Sequence, residues 1–230
     1  MAFLFSARVT ACSAAVLAML PIMTVQAVTQ VFEYKNFYDD PVRIAAADER
    51  PLQARLAYFL VNPENGKLCH INQILMSSGR HQEILHPSAD QEIQIPLDSN
   101  LRSLNPNLTL DVAAEQACSL SVQVVSTVPL TAQVQGQQLS ALVQDMHEVY
   151  QRLGTFFTRR YMPQVSGLVL HFPVAEGNII GAGSNNLLSI KNHTLTLDME
   201  QMVNIEKDLL TFPVAPIKIT PFIQQHSTKN

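Results

Sequence analysis

Apolar and polar residues alternate in several short stretches of the N-terminal half of the chain, and this period of two predicts β-strands. Asn62–Gly66 separates the second stretch from the third and favours a hairpin, because Asn and Gly both accept positive φ. The strands predicted here are Gln30–Tyr34, Ala54–Val61, Leu68–Met76, Gln91–Leu97, Asn107–Val112 and Cys118–Ser126. Short strands separated by turns indicate an antiparallel, sandwich-like unit.

The hydrophobic period changes to 3.6 residues over Gln137–Tyr161, which predicts one long amphipathic helix after a polar linker. Arg159 and Arg160 fall in its predicted last turn, where they complement the helix dipole, and Pro163 ends it. The apolar stripe consists of Leu139, Leu142, Val143, Met146, Val149, Tyr150, Leu153, Phe156 and Phe157. The polar residues expected largely opposite the stripe are Gln144, Asp145, Glu148, Gln151 and Arg152.

The period returns to two in the C-terminal part of the chain. Gly167–Phe172 and His193–Met199 each align their apolar residues on one face, and Leu209–Phe212 and Ile217–Ile223 have the pattern of closing strands. Ala175–Asn186 has the composition of a loop or of a glycine-bearing hairpin. A second, smaller β unit is therefore predicted after the helix.

Together these patterns predict a mainly β (α+β) protein, built of antiparallel sandwich-like sheets with one long amphipathic helix. Four segments are predicted along the chain. They are a signal peptide (1–27), an N-terminal β unit (28–130), a linker with the long helix (131–162) and a C-terminal β unit (163–230).

Residues 1–27 have the pattern of a secretory signal peptide. Arg8 precedes an apolar core, and the segment ends in Val25-Gln26-Ala27, with small residues where a signal peptidase reads. An uncleaved membrane anchor is one alternative, although polar residues dilute the run. A lipoprotein is another, but most of the apolar segment follows Cys12 instead of preceding it. We therefore predict a cleaved leader, an exported chain and no stable membrane span after cleavage.

The charge balance excludes some classes of partner. The chain has 15 Lys and Arg against 19 Asp and Glu, and Arg8 is the one charged residue of the leader, so the mature chain has a net charge of −5. A nucleic-acid-binding protein normally has a basic stripe, and adhesion to anionic lipid needs a polybasic patch. Neither pattern occurs in this sequence.

Two cysteines, Cys69 and Cys118, remain after the leader is removed. In an oxidising compartment two such residues usually form a disulfide, and closing a loop of about 50 residues stabilises a fold by roughly 3–4 kcal/mol in the chain-entropy view. A redox-active pair is the alternative, but it usually needs a Cys-x-x-Cys spacing. We predict a structural disulfide.

Motifs that carry chemistry are weak in this sequence. His81 and His86 with Asp90 form the closest candidate metal cluster, but metal ligation needs three or four converging groups. Gly177, Gly181 and Gly183 lack the strand–turn–helix context of a phosphate-binding loop. No Gly-x-Ser-x-Gly nucleophile elbow occurs. We therefore assign no residue to catalysis, to a cofactor or to a metal.

The end of the predicted helix is the strongest candidate for a partner surface. Phe156, Phe157, Arg159, Arg160 and Tyr161 place aromatic residues beside arginines, which are residue types enriched at binding hot spots. Alternatively, the apolar stripe simply covers one face of a sheet. Accessibility of the aromatic side chains distinguishes the two interpretations.

Several segments together resemble a known family: Glu33–Asp39 after the leader, Cys69 and Cys118 on strands, and Tyr161–Pro163 leading to Ser166–Leu168. The sequence is similar to a family of uncharacterised exported proteins of Gram-negative bacteria, defined by a domain of unknown function. The resemblance implies a periplasmic location. It implies no active-site residue.

Two functions are consistent with the sequence. The first is a non-enzymatic periplasmic protein of the cell envelope that binds or scaffolds an envelope protein or a glycan. The second is a periplasmic hydrolase of glycan or peptide, whose site is assembled only in the fold. Two facing carboxylates, or a Ser/His/Asp set within hydrogen-bond reach, would favour the hydrolase, whereas a broad exposed apolar patch would favour binding.

Overall fold

The structure is a computed structural model that describes residues 28–46, 50–79, 81–112, 117–129, 131–155, 158–181 and 188–224. The predicted signal peptide lies outside these residues. The described helices are α1 (Lys35–Ala46), α2 (Ser99–Leu104), α3 (Gly136–Leu153) and α4 (Met199–Ile205), with a 3₁₀ turn at Arg159–Tyr161. The described strands are β1 (Val28–Glu33), β2 (Ala54–Val61), β3 (Ile71–Ser78), β4 (His81–Leu85), β5 (Asn107–Val112), β6 (Ser119–Ser126), β7 (Gln133–Gln135), β8 (Val165–His171), β9 (Glu176–Asn178), β10 (Ile180–Gly181), β11 (Ser189–Lys191), β12 (Thr194–Asp198), β13 (Leu209–Thr211) and β14 (Lys218–Ile223).

The N-terminal half forms two antiparallel sheets. Four strands pair in the order β1-β5-β3-β4, and β2 pairs with β6 in a separate two-stranded sheet. In β2, Leu56, Tyr58 and Leu60 are buried in the main core, whereas Ala57 and Phe59 join Val125 in a small second cluster. Both faces of β2 are therefore covered, which explains its nearly continuous apolar sequence.

The C-terminal half is built on a five-stranded antiparallel sheet of order β14-β8-β12-β11-β9. Gly167, in β8, has a φ of +148°, and a Cβ there would lie 2.0 Å from the carbonyl oxygen of Leu197 on the neighbouring strand. Only glycine fits this approach. A small third sheet, of order β10-β13-β7, connects the strand before α3 to the C-terminal chain.

Helix α3 packs its apolar side against the sheets of both halves. Five residues of the predicted stripe are buried: Leu139, Leu142, Val143, Met146 and Val149. One cluster of buried apolar residues extends from Tyr34 to Ile219 and includes this side of the helix. The fold is mainly β with antiparallel sheets, as the sequence predicts.

The helix ends earlier than predicted, at Leu153 instead of Tyr161. Gly154 leaves the helical conformation, and the backbone N–H of Thr155 then donates to the hydroxyl of Thr158. Glycine and threonine both weaken helix continuation, because glycine gains conformational freedom outside the helix and threonine can bond locally. Arg159 and Arg160 consequently lie in a separate 3₁₀ turn and do not cap α3.

The hairpin expected around Asn62–Gly66 forms only at its turn. The backbone N–H of Asn62 donates to the carbonyl of Lys67, the N–H of Gly66 donates to the carbonyl of Asn62, and the N–H of Cys69 donates to the carbonyl of Leu60. Beyond the single bridge between Val61 and Leu68 the chains diverge, because β2 pairs with β6 while β3 pairs with β5 and β4. Gly66 has a φ of +68°, which explains the Asn-Gly signal.

The predicted strand Gln91–Leu97 is not part of any sheet. Its sequence alternates, and Ile93 is buried, but the backbone bond from Ile93 to the Tyr58 carbonyl does not extend into a ladder. β3 lies between β5 and β4 in its sheet, and β4 was not predicted from the sequence. Helices α1, α2 and α4 were not predicted either. None of the helices in the described part of the chain has the length and apolar character needed to span a membrane.

Candidate functional site

A cleft of about 590 Å³ opens between α1, the segment 50–53 that leads into β2, β2 itself and the extended segment 92–97. Its volume lies within the range of small-molecule sites, roughly 300–1,000 Å³. Its apolar lining comes from Phe37, Pro41, Ile44, Ala45, Pro51, Leu52, Ala54, Leu56, Ile93, Ile95 and Leu97. The remaining lining residues are Arg50, Arg55, Tyr58, Glu92, Gln94, Thr127 and Arg152.

An ion pair crosses the floor of the cleft. The two terminal nitrogens of Arg55 donate to the two carboxylate oxygens of Glu92, with Nη2 2.9 Å from Oε2. The side chain of Glu92 is buried, whereas that of Arg55 is 44% exposed. Pairing with Glu92 holds the pKa of Arg55 above its ordinary value. A bidentate pair of this kind fixes geometry as well as charge, so it attaches segment 92–97 to β2.

Helix α3 positions the segment at the mouth of the cleft through a buried carboxylate. Asp145 is 3% exposed, and its two oxygens accept from Arg50 Nη2 at 2.6 Å and from the backbone N–H of Gln53 at 2.8 Å. Both donors belong to the segment before β2. The bonds therefore hold the Arg50 guanidinium at the cleft.

The opposite end of the mouth is attached to the last turn of α3. Arg152 donates from Nη1 to the carbonyl of Ile44 at 2.8 Å and from Nε to Glu148 at 3.0 Å. In the other direction, Nη2 of Arg43 on α1 donates to the carbonyl of Leu153 on α3 at 3.1 Å. The C-terminal carbonyls of a helix carry partial negative charge, which favours such arginine donors. The last turns of α1 and α3 are thus held together.

Two buried tyrosines near the cleft have opposite hydrogen-bonding states. The hydroxyl of Tyr34 donates to the carbonyl of Pro96 at 2.6 Å and accepts from the N–H of Asp98 at 2.9 Å. The hydroxyl of Tyr58 has no hydrogen-bond partner among the described residues. Burial, with a further contribution from the negative charge of Asp40, raises the pKa of Tyr58 far above its ordinary value. Tyr58 is therefore a neutral phenol at physiological pH.

The disulfide between Cys69 and Cys118 is present, as predicted. The Cα atoms lie 6.4 Å apart, within the range that a disulfide requires. Cys69 is buried and Cys118 half-buried. Cys69 lies between β2 and β3, and Cys118 directly precedes β6. The disulfide therefore links the connection between β2 and β3 to the start of β6.

Part of the predicted partner surface is exposed. Tyr161 is 71% exposed, and the Arg160 guanidinium lies 4.8 Å from the centre of its ring, close enough for a cation–π contact. Arg159 and Arg160 are also exposed and line a shallow depression next to α3 with His147, Gln151, Met162 and Gln164. Phe156 and Phe157 lie outside the described residues. The surface therefore stays a prediction.

The weak motifs of the sequence lie apart from the cleft. His81 and His86 are exposed, and no group of three or more His, Cys, Asp or Glu in the described ranges is arranged to hold a metal ion. Gly177 lies in β9 and Gly181 in β10, while Gly183 is not among the described residues. In the described part of the chain, β10 follows β9 and the strand β11 follows β10.

His171 is the histidine whose environment is most perturbed among those described. Its Nε2 lies 3.0 Å from the hydroxyl oxygen of Thr220 on the adjacent strand. Burial, together with the positive charge of Lys218, lowers the pKa of His171 to about 4. The imidazole is therefore neutral near pH 7.

Sequence reasoning missed the polar residues of the cleft. It placed Asp145 on the exposed side of the helix, where the structure has it buried. A signal was available: Asp145 follows Leu142 by three residues and precedes Val149 by four, so it lies on the same face as both. Glu92 carried no comparable signal, because its burial depends on Arg55, 37 residues away.

Fold and site together define a disulfide-bonded, mainly β protein with a small-molecule-sized cleft of apolar walls and paired charges. The chain belongs to the family described as "Protein of unknown function (DUF2987)", which matches residues 26–172. The matched region contains every lining residue of the cleft and both bonded cysteines, and it ends just after β8. No curated protein and no solved structure matches the chain.

Proposed function

We propose that this protein is a non-enzymatic binding protein of the periplasm, exported by a signal peptide of residues 1–27, and that the cleft beside α1 and β2 is its binding site. The observation that carries the proposal is the cleft itself, which combines apolar walls with a few polar groups held at defined positions. This combination is typical of small-molecule sites. The leader sequence and the disulfide support an exported protein.

The charged groups of the cleft support binding over catalysis. Arg55 is paired with Glu92, Arg50 with Asp145 and Arg152 with Glu148. Glu92 accepts two guanidinium bonds from Arg55, and Asp145 accepts one from Arg50 and one from the backbone N–H of Gln53, so both carboxylates are held as acceptors and are poorly placed to transfer protons. Such groups orient a ligand and position the walls around it.

Blocking the cleft tests the proposal. Ala45 lines the cleft and is exposed, whereas its neighbour Ala46 is exposed but does not line it. We expect Ala45→Trp to lower the affinity for Nile red, a neutral apolar dye, about tenfold or more, because the indole occupies the ligand's volume. Ala46→Trp is the matched control and should bind like the wild type. Equal dye binding by all three proteins would contradict the assignment of the site.

Export is tested on the N-terminus of the protein from cells. Cleavage after Ala27 predicts a mature chain that begins at Val28, which mass spectrometry of the periplasmic fraction measures directly. A full-length chain in the membrane fraction would instead support the uncleaved anchor.

We further propose that Arg159, Arg160 and Tyr161 form a contact surface for an envelope protein or a glycan. The exposed Tyr161 ring beside two arginines supports this proposal. Changing Arg159 and Arg160 to Glu should abolish partner capture from envelope extract without changing the melting temperature. The matched control changes the exposed residues Lys191 and Lys207 to Glu, which alters the net charge equally. Loss of capture in both variants would indicate a general charge effect.

One observation favours the second function, a hydrolase of glycan or peptide. The neutral imidazole of His171 contacts the Thr220 hydroxyl at the border of two shallow depressions. A neutral histidine beside a hydroxyl has the arrangement of a general base, but a pKa of about 4 makes this imidazole a weak base near pH 7. The two residues are also neighbours across a pair of strands, and sheet geometry alone accounts for their contact. If the protein hydrolyses a glycan or a peptide and the Thr220→Val variant does so at the same rate, His171 and Thr220 are not the catalytic pair.

A further inference from the structure

The charged side chains that line the cleft are mostly guanidinium groups. Three of its side chains are guanidinium groups, those of Arg50, Arg55 and Arg152, and one is a carboxylate, that of Glu92. The complete chain, by contrast, has a net charge of −4. Charge within a partly enclosed, apolar cleft acts more strongly than charge on an open surface, since the walls keep water away. Each guanidinium is paired with a carboxylate, but the carboxylates of Asp145 and Glu92 are buried, whereas the side chains of Arg50 and Arg55 are 59% and 44% exposed. The positive ends of these two pairs are therefore the ends that a ligand can contact, which favours a ligand with a negative group.

Arg55 has the donor capacity to hold such a group. A guanidinium has five N–H donors. The bonds of Arg55 within the described residues are two to Glu92 and one to the carbonyl of Leu56. Its side chain is 44% exposed, so it can bind an anion while it remains paired with Glu92. Arg50 and Arg152 stand at the mouth, positioned from behind by α3.

The walls determine the rest of the ligand. Phe37, Ile44, Leu56 and Ile93 are buried around the cleft, and Leu97 is 53% exposed beside it. A ligand that covers these side chains must itself be apolar over most of its surface. The volume of about 590 Å³ is in the middle of the range for single small ligands, which favours one apolar chain over two.

We propose that the cleft binds a single-chain amphipathic anion, an alkyl chain with a carboxylate head, with the head at Arg55 and Arg50 and the chain against the walls formed by α1 and segment 92–97. This inference rests on the proposed binding function and specifies its ligand class. The carboxylate forms charge-assisted hydrogen bonds with the guanidinium groups, and the alkyl chain leaves water.

Three probes with the same tail and different heads test the ligand class. Dodecanoate, dodecanol and dodecyltrimethylammonium, each below its micellar concentration, compete with Nile red for the mature wild-type protein. We expect dodecanoate to bind at least about tenfold more tightly than the ammonium compound at low salt, with dodecanol between them, since one charge-assisted bond accounts for such a ratio. Added salt should reduce the preference. Equal affinities, or the reverse order, would overturn the inference.

A charge-neutral change of the ion pair locates the head group. The variant with Arg55→Gln and Glu92→Gln removes both charges at once, so neither is left buried without its partner. We expect about a tenfold loss of dodecanoate affinity and little change for dodecanol. The control variant, Arg102→Gln with Asp39→Asn, removes an exposed ion pair outside the cleft. Unchanged dodecanoate affinity in the Arg55 variant would also overturn the inference.

The Nile red measurements distinguish the two levels of the proposal. If Nile red binds, Ala45→Trp blocks it and the anion shows no preference, the ligand class is wrong and the binding site stands. If Ala45→Trp has no effect on Nile red, the proposed site itself is wrong.

Discussion

The region around the cleft and the C-terminal five-stranded sheet hold their elements in place by different means. The buried polar or charged residues among those described are Asn62, Glu92 and Asp145, and the two carboxylates secure the walls of the cleft. In the C-terminal sheet the central strands β8 and β12 bury leucines, and backbone ladders connect the strands. Both regions share one apolar core, and the cleft region adds buried carboxylates to it.

The difference supports the proposed binding site. Burying a carboxylate costs free energy unless its partners are well placed, so apolar residues of similar size often stabilise a fold equally well or better. The C-terminal sheet follows that simpler rule. The cleft region departs from it at the walls of a ligand-sized volume, where fixed charges can orient a ligand.

The disulfide provides the largest expected difference between the regions. Replacing Cys69 and Cys118 with Ser should lower the free energy of unfolding by roughly 3–4 kcal/mol, because the unfolded chain regains the freedom of the closed loop. Urea unfolding measures the loss. Hydrogen exchange should rise first in β2, β3 and β6 and least in β8 and β12. A uniform rise over both regions would remove the distinction.

Two truncations at buried positions contrast the regions directly. Asp145→Ala should lower the free energy of unfolding by about 2 kcal/mol, because the hydrogen bonds to the charged Asp145 are lost while Arg50 can return to water. Leu170→Ala, at a buried position of β8, should lower the free energy of unfolding by about 3 kcal/mol, because it leaves a cavity. Only Asp145→Ala is expected to weaken Nile red binding. Equal effects on the dye would show that the cleft responds to stability alone.

Tyr34 and Tyr58 allow a second comparison, between two buried hydroxyls of the cleft region. Tyr34→Phe should destabilise the protein by about 1–2 kcal/mol, because the carbonyl of Pro96 and the N–H of Asp98 lose a buried partner. Tyr58→Phe removes a hydroxyl that has no partner among the described residues, so stability should stay constant or rise by about 1 kcal/mol. Thermal and urea unfolding of both variants measure this. A similar loss in both would reveal a partner for Tyr58.

The smallest expected effect is a pH dependence of the C-terminal sheet. The pKa of His171 is about 4 when folded and near 6.5 when unfolded, so the unfolded chain binds the proton more readily. The stability of the folded sheet is therefore undiminished above pH 6.5 and falls as the pH drops towards 4, because the unfolded chain gains the proton first. Partial exposure of His171 to solvent keeps this loss of stability modest. His171→Gln should flatten this part of the curve of melting temperature against pH, and an unchanged curve would contradict the assignment.

Much of the secondary structure was predictable from short stretches of sequence. Ala54–Val61 and Asn107–Val112 form strands with the predicted bounds, and the apolar stripe of α3 is buried from Leu139 to Val149. Strand alternation and helical periodicity reflect burial on one side of an element, which the local sequence records. Helix α4 could also have been found. Asp198 and Gln201 form a capping box at its start, but the strand pattern before it obscured the boundary.

Sequence alone determined the mainly β class, the cysteines that pair and the composition of the leader, because each of these follows from residue types or local periods. Tertiary structure decided which strand pairs with β2, that segment 92–97 joins no sheet, and where the cleft lies. Glu92 and Arg55 lie 37 residues apart, and Asp145 and Arg50 lie 95 apart, so no local pattern connects them. Their contacts exist only because packing of the apolar core brings α3, β2 and segment 92–97 together, and the charges then take the geometry that this packing allows.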